Sequence, residues 1–101
     1  MTDASAFLDV QPEIAAALAR RQPVVALEST IIAHGMPHPA NVATAREVEA
    51  IVRKHGAIPA TIAVIDGRIR IGLSARELNW LGTARDVMKL SRADLAFALV
   101  T

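Results

Sequence analysis

Apolar and polar positions follow two different periods along the chain, and together they predict an α/β fold. Residues 24–27 form a continuous apolar run after a proline, which is typical of a buried strand in a parallel sheet. Residues 61–65 form the clearest strand, and the pair Asp66-Gly67 separates them from residues 68–71. Such a pair favours a hairpin because both turn positions adopt positive φ. Arginine and isoleucine alternate in the returning strand, which predicts a solvated face and an edge position.

Helical patterns precede and follow the first of these strands. Pro12 fits the first turn of a helix over residues 13–21, because its fixed φ suits the start of a helix. Asn41 fits the N-cap of a second helix, which carries an apolar stripe and ends at Gly56. The segment between the first strand and Asn41 is rich in glycine and proline, so we expect it to be irregular.

The last third of the chain carries further start signals. Ser74 and Glu77 form a capping box, which predicts a short helix that Gly82 ends. Residues 87–90 resemble another strand, and Ser91 offers the start of a last helix. Because no stop signal follows, we expect the chain to end within an element. The predicted fold class is therefore the N-terminal fragment of a larger mixed-sheet α/β subunit, with helices packed on the sheet.

The composition supports this expectation of an incomplete core. Alanine supplies 20 of the 101 residues, and the only aromatic side chains are Phe7, Trp80 and Phe97. A buried alanine contributes far less than the roughly 1.5–3 kcal/mol of a large apolar side chain. We expect a loose leader over residues 1–10, followed by part of a single domain over residues 11–101.

Charge and residue usage exclude several classes of protein. The net charge of +1 argues against a nucleic-acid-binding protein, although the first 50 residues carry −3 and the remainder +4. The absence of cysteine excludes disulfides and thiolate metal sites. No apolar run approaches the roughly 20 residues of a membrane helix, and no signal peptide is recognisable. We therefore expect a cytoplasmic protein that binds neither nucleic acid nor membranes.

Glu28 is the first candidate for chemistry, because it directly follows the apolar run over residues 24–27. Ligands of open α/β sheets bind at the carboxyl ends of strands, and partial burial there would raise the pKa of a carboxyl toward that of a general acid. The alternative is an ion pair with one of the nine arginines. Ser29 and Thr30 could orient the carboxylate or a substrate, or they could simply hydrogen-bond within the loop.

Two further candidates lie elsewhere in the chain. His34 and His38 have the spacing of a helical metal pair, but the glycine and prolines around them exclude that helix. His34 could still contact a ligand, or it could hydrogen-bond to the backbone. Lys89 interrupts an apolar run next to the helix start at Ser91, where an ammonium would help to hold an anion. The alternative for Lys89 is a solvated strand face.

The stretch over residues 23–41, PVVALESTIIAHGMPHPAN, resembles the N-terminal signature of pseudouridine-5′-phosphate glycosidases. The resemblance continues through residues 57–67, 72–74 and 89–95 and covers about residues 11–100. It implies an enzyme that reversibly cleaves the C–C bond of pseudouridine 5′-phosphate to give uracil and ribose 5-phosphate. It also implies a manganese cofactor and a homotrimer.

The resemblance assigns two roles to residues of this chain. Glu28, in the LEST motif, is the expected proton donor, and Lys89 is an expected substrate-binding residue. The family's mechanism opens the ribose and forms a Schiff base on a lysine, which, like the metal-ligating aspartate, lies downstream of Thr101. His38 departs from the aromatic residue of the family and receives no role. We therefore expect no metal ligand in this chain and no activity from it alone.

The competing hypothesis is a small non-catalytic α/β module that binds a nucleotide-like anion or a protein partner. The placements of Glu28 and Lys89 are the sequence features that separate the two hypotheses.

Overall fold

A mixed four-stranded sheet with three helices makes up the part of the chain that the computed structural model describes, residues 7–30, 32 and 36–83. The elements are β1 (Leu8–Val10), α1 (Pro12–Ala19), β2 (Val24–Leu27), α2 (Ala40–Lys54), β3 (Ile58–Ile65), β4 (Arg68–Ile71) and α3 (Ala75–Thr83). The strand order is β1-β4-β3-β2. The β1–β4 and β2–β3 pairs are parallel and the β3–β4 pair is antiparallel, so the predicted mixed α/β class is confirmed.

The β3–β4 hairpin turns at the predicted pair, with φ of 52° at Asp66 and 72° at Gly67. The predicted edge position of β4 is wrong, because β4 lies between β1 and β3. Its arginines are partly exposed and pair with acids of neighbouring elements: Arg68 hydrogen-bonds to Asp9 of β1, and Arg70 bonds to Glu77 of α3. Opposite charges therefore allow an alternating strand to occupy an inner position.

These ion pairs also order part of the predicted leader. Leu8–Val10 pair with β4 as β1, so this end of residues 1–10 is not loose. Both Arg68 contacts to the Asp9 carboxylate measure 2.8 Å, and Arg70 Nε lies 3.4 Å from the same group. The Arg68 hydrogen bonds hold the pKa of Asp9 below its usual range.

The first predicted strand is parallel as expected, but the prediction that it is buried is wrong. β2 is the outer strand of the described sheet, and its middle residues Val25 and Ala26 are exposed. An apolar run indicates a strand without showing how many neighbours the strand has. Only the flank toward β3 is paired here, with Leu27 opposite Thr61.

Helices α2 and α3 cover one face of the sheet. The buried cluster on this face consists of Ile32, Val42, Ala45, Ala63, Ile65, Leu73, Leu78 and Leu81. Gly82 lies inside α3, one residue before its end, although the sequence pattern placed it at the helix stop. A Cβ at Gly82 would overlap the Val42 side chain of α2, so the glycine allows the two helices to pack closely.

Several terminal signals are confirmed and one is wrong. Pro12 begins α1, and Gly56 follows α2 with a φ of 86°. The Ser74 and Glu77 side chains each accept a backbone N–H of the other residue, at 3.1 and 3.0 Å, as a capping box requires. Asn41 is not the N-cap of α2. That position belongs to Pro39, and Asn41 is buried inside the first turn.

The predicted strand over residues 87–90 and the helix start at Ser91 lie outside the described residues. No helix within the described ranges has the length and apolar character required to cross a membrane.

Candidate functional site

A cavity of about 190 Å³ lies where β2 ends against α2 and β3. It is lined by Leu27, Glu28, Ile32, Ala45, Val48 and Thr61. The lining is apolar apart from one carboxylate and one hydroxyl, which is the usual composition of a small-molecule site. The volume is below the roughly 300–1,000 Å³ of a pocket that encloses a whole ligand, so the cavity between the described residues is too small to enclose one alone.

Glu28 occupies the position that the sequence predicted, directly after the last residue of β2. The expected partial burial is wrong, because the Glu28 side chain lies at the open edge strand and is exposed. The ion-pair alternative receives no support either: Glu28 pairs with none of the arginines in the described ranges, whose ion pairs go to Asp9, Glu13 and Glu77. The carboxylate is therefore accessible to a ligand in the cavity.

Thr61 forms the polar part of the cavity floor and was not identified from the sequence. It is only 2% exposed, and its Oγ1 donates a 2.6 Å hydrogen bond to Glu49 Oε2 of α2. This bond fixes the hydroxyl hydrogen, so the remaining lone pairs of the oxygen can only accept hydrogen bonds. A lone threonine inside the apolar strand Ile58–Ile65 was the available signal, since a buried hydroxyl needs a partner.

Of the four other candidate residues, the structure describes two. Ser29 and Thr30 follow Glu28 and are half-buried, but neither lines the cavity. The Ser29 carbonyl accepts a 3.1 Å hydrogen bond from the Ile32 N–H, which closes a turn after Glu28. His34 and Lys89 lie outside the described residues, so their roles stay predictions.

The described residues do not fit a manganese site. Within residues 7–30, 32 and 36–83, no three or more histidine, aspartate or glutamate side chains converge as metal ligands would. His38, the member of the histidine pair that is described, is exposed and has its Nε2 3.4 Å from Asn79 Oδ1.

Comparison with known sequences gives consistent matches. The family described as "Indigoidine synthase A like protein" matches residues 13–101. A relative from Methylobacterium nodulans, named pseudouridine-5′-phosphate glycosidase, is 63% identical over 93 residues, which are 92% of this chain and 28% of that protein. Relatives of the same name from Caldanaerobacter subterraneus and Deinococcus radiodurans are 55% and 63% identical over 92% and 88% of this chain. The chain therefore spans less than a third of the length of these relatives.

Solved structures share the fold. The prealnumycin C-glycosynthase AlnA, solved in complex with ribulose 5-phosphate, has a TM-score of 0.80 and 38% identity over 93% of this chain and 30% of its own. An indigoidine synthase A-like protein from Thermotoga maritima has a TM-score of 0.74 at 24% identity, with the same coverage, and shows the fold alone. Since the family match extends over most of the chain, this protein belongs to the indigoidine synthase A-like family, whose members include relatives named pseudouridine-5′-phosphate glycosidase.

Proposed function

We propose that this chain supplies the proton donor for cleavage of pseudouridine 5′-phosphate to uracil and ribose 5-phosphate. The observation that carries the proposal is the position of Glu28, at the carboxyl end of β2 and in the lining of the cavity. In this reaction the bond between C5 of uracil and C1′ of the ribose breaks, C5 gains a proton, and water supplies the oxygen that C1′ carries in ribose 5-phosphate. Glu28 gives its proton to the departing uracil as that bond breaks.

The surroundings of Glu28 suit this role once the cavity is covered. A carboxyl that acts as an acid near neutral pH must be shielded from water. Leu27 and Val48 already provide apolar walls on two sides, and the carboxylate has no competing cation among the described residues. We propose that the substrate and the part of the enzyme that this chain does not span complete the enclosure.

The remaining functional groups of the proposal come from the resemblance. Lys89 would hold the phosphate end of the substrate as a cation. The Schiff-base lysine, the manganese ligand, the homotrimeric assembly and the cytoplasmic location belong to the full-length enzyme in this proposal. Because the described residues hold no manganese site, we route no step of the reaction of Glu28 through the metal.

A chimera tests the proposal in an enzyme of full length. The matched 93 residues of the Methylobacterium nodulans relative are replaced by those of this chain, and release of uracil from pseudouridine 5′-phosphate is followed. We expect an active chimera, in which Glu28→Gln lowers kcat by about 10²–10⁴-fold, the usual contribution of a general acid. Glu47→Gln is the matched control, because Glu47 lies exposed on α2 outside the cavity.

Four outcomes contradict the proposal. An inactive chimera would show that this chain does not provide a working part of the enzyme. Full activity of the Glu28→Gln variant would remove the assigned proton donor. Sustained uracil release by the isolated 101-residue chain would contradict the distribution of catalytic groups over a longer protein. Binding of ribose 5-phosphate by a chimera that releases no uracil would favour the non-catalytic binding module.

A further inference from the structure

Asn41 makes an unusual set of contacts for a residue in the first turn of a helix. Its side chain is 1% exposed and uses both ends of the amide. Nδ2 donates to the Ile32 carbonyl at 2.7 Å and to the Gly82 carbonyl at 2.9 Å, while Oδ1 accepts the Val42 N–H at 2.8 Å. One side chain thus connects the segment after β2 to helix α3.

The hydrogen bond from Asn41 to Ile32 involves a residue of the cavity lining. Ile32 lines the cavity together with Glu28, and its N–H closes the turn onto the Ser29 carbonyl. The turn that follows Glu28 is therefore held at its far end by Asn41. Among the described residues of segment 28–32, the Ile32 carbonyl is the one backbone group that accepts a hydrogen bond from a side chain.

The hydrogen bond from Asn41 to Gly82 involves the helix that precedes Lys89, the other predicted site residue, in the sequence. Gly82 is the penultimate residue of α3, and Lys89 follows it by seven positions in the sequence. Asn41 lies against the position of the missing Gly82 side chain, since a Cβ there would be 3.2 Å from Nδ2. The Asn41 amide therefore links the turn after Glu28 to α3. In the sequence, α3 precedes Lys89, the predicted substrate-binding residue.

We propose that Asn41 is a positioning residue, which acts through the Ile32 and Gly82 carbonyls to set the place of Glu28 in the site. This inference rests on the proposed function of Glu28. Asn41 does not touch the cavity and contributes no group to the reaction. Its amide matters because it has two donors at one nitrogen, and a carboxylate of the same shape has none.

A double-mutant cycle in the chimera tests the inference. Asn41→Asp keeps the acceptor for the Val42 N–H and loses both donors, so the turn after Glu28 is released. We expect kcat to fall about 10–100-fold, the cost of a small misplacement of a catalytic group. KM for pseudouridine 5′-phosphate should change little, because the contact that is weakened, from Glu28 to the departing uracil, is made in the transition state. Asn79→Asp on α3 is the matched control, because Asn79 is exposed and outside the cavity.

The second arm of the cycle uses Glu28→Asp, which keeps an acid of shorter reach. If Asn41 acts through Glu28, then Asn41→Asp costs much less in the Glu28→Asp background, since the carboxyl is already out of place. Equal fold losses in both backgrounds, or an unchanged kcat, would overturn the inference while leaving Glu28 as the proton donor. Full activity of Glu28→Asp would show that the exact place of the carboxyl does not matter and would also overturn the inference. Full activity of Glu28→Gln would instead overturn the proposed function itself.

Asn41→Ser covers the case in which the carboxylate variant does not fold, because a hydroxyl retains one donor. In the chain of 101 residues, amide hydrogen exchange gives an independent reading. We expect faster exchange at the Ile32 N–H in either Asn41 variant, with the exchange of β3 amides unchanged. Unchanged protection of Ile32 would show that Asn41 does not hold the turn.

Discussion

Gly72 directly follows β4, and the effect of replacing it with alanine can be predicted by comparison with the same change at Gly56. Gly72 has a φ of 89°, and its N–H donates a 2.9 Å hydrogen bond to the carbonyl of Thr61. A Cβ at this position would overlap Ile14 Cδ1 and lie 2.8 Å from Gln11 Oε1. Because Ile14 is fully buried, its methyl group has no free space into which it can rotate.

The size of the effect follows by comparison with Gly56. Gly56 has a nearly equal φ of 86°, but an added Cβ would meet nothing within 4 Å. Gly56→Ala therefore measures the backbone strain alone, about 1–2 kcal/mol. Gly72→Ala adds overpacking, typically about 1–3 kcal/mol, for a total loss of about 2–5 kcal/mol. The smaller entropy of the unfolded alanine chain is common to both variants and cancels in the difference.

Urea unfolding followed by far-UV circular dichroism checks the prediction. A further loss of about 1–3 kcal/mol lowers the midpoint of Gly72→Ala by roughly 1 M relative to Gly56→Ala at an unchanged slope. An unfolded Gly72→Ala chain beside a folded Gly56→Ala chain would also agree with overpacking. Equal midpoints for the two variants would refute the reasoning, because they would show that α1 does not pack against the end of β4.

Two further predictions concern polar contacts. The folded-state pKa of Asp9 lies below its unfolded value, so the stability from its bonds to Arg68 is present above about pH 4 and is lost as the pH falls through the folded pKa. Asp9→Asn should therefore destabilise the chain at about pH 7 and flatten the fall in its urea midpoint toward about pH 3, and a fall as steep as that of the wild type would contradict this account. Thr61→Val should cost about 1 kcal/mol by leaving Glu49 without its donor, again measured by urea unfolding. Thr61→Ser, which retains the hydroxyl, is its control, and equal losses in the two variants would argue against the hydrogen bond.

The features that the sequence predicted correctly depend on neighbouring residues. The hairpin at Asp66-Gly67, the capping box at Ser74 and Glu77, and the glycine after α2 are all encoded within a few positions. Turn and cap geometry is decided by local φ preferences and short hydrogen bonds, so the chain segment itself carries the information. The position of Glu28 after β2 belongs to the same class, because it requires only that the apolar run form a strand.

The features that were missed depend on residues far apart in the chain. From the local sequence, Arg68 is predicted to be solvated. Its partner Asp9 lies 59 positions earlier in the chain, and the fold brings the two together by pairing β1 with β4. From the local sequence, Asn41, two residues after Pro39, is predicted to be a cap, because nothing nearby shows that Ile32 and Gly82 will present carbonyls to it. The burial of β2 was likewise overestimated, since the number of neighbours of a strand is decided by the whole sheet.

The contacts of Asn41 also have a consequence for the order in which the fold is assembled during synthesis. Residues 28–32, which carry the acid, leave the ribosome well before Gly82, the second carbonyl that the Asn41 amide binds. Because the chain is made from its N-terminal end, contacts between early residues become possible before contacts that need later ones. The β2–β3 pair can form once residue 65 has emerged, yet the turn after Glu28 has its full support only when α3 docks. Contacts within the sheet thus become available to the nascent chain before the full support of the turn after Glu28.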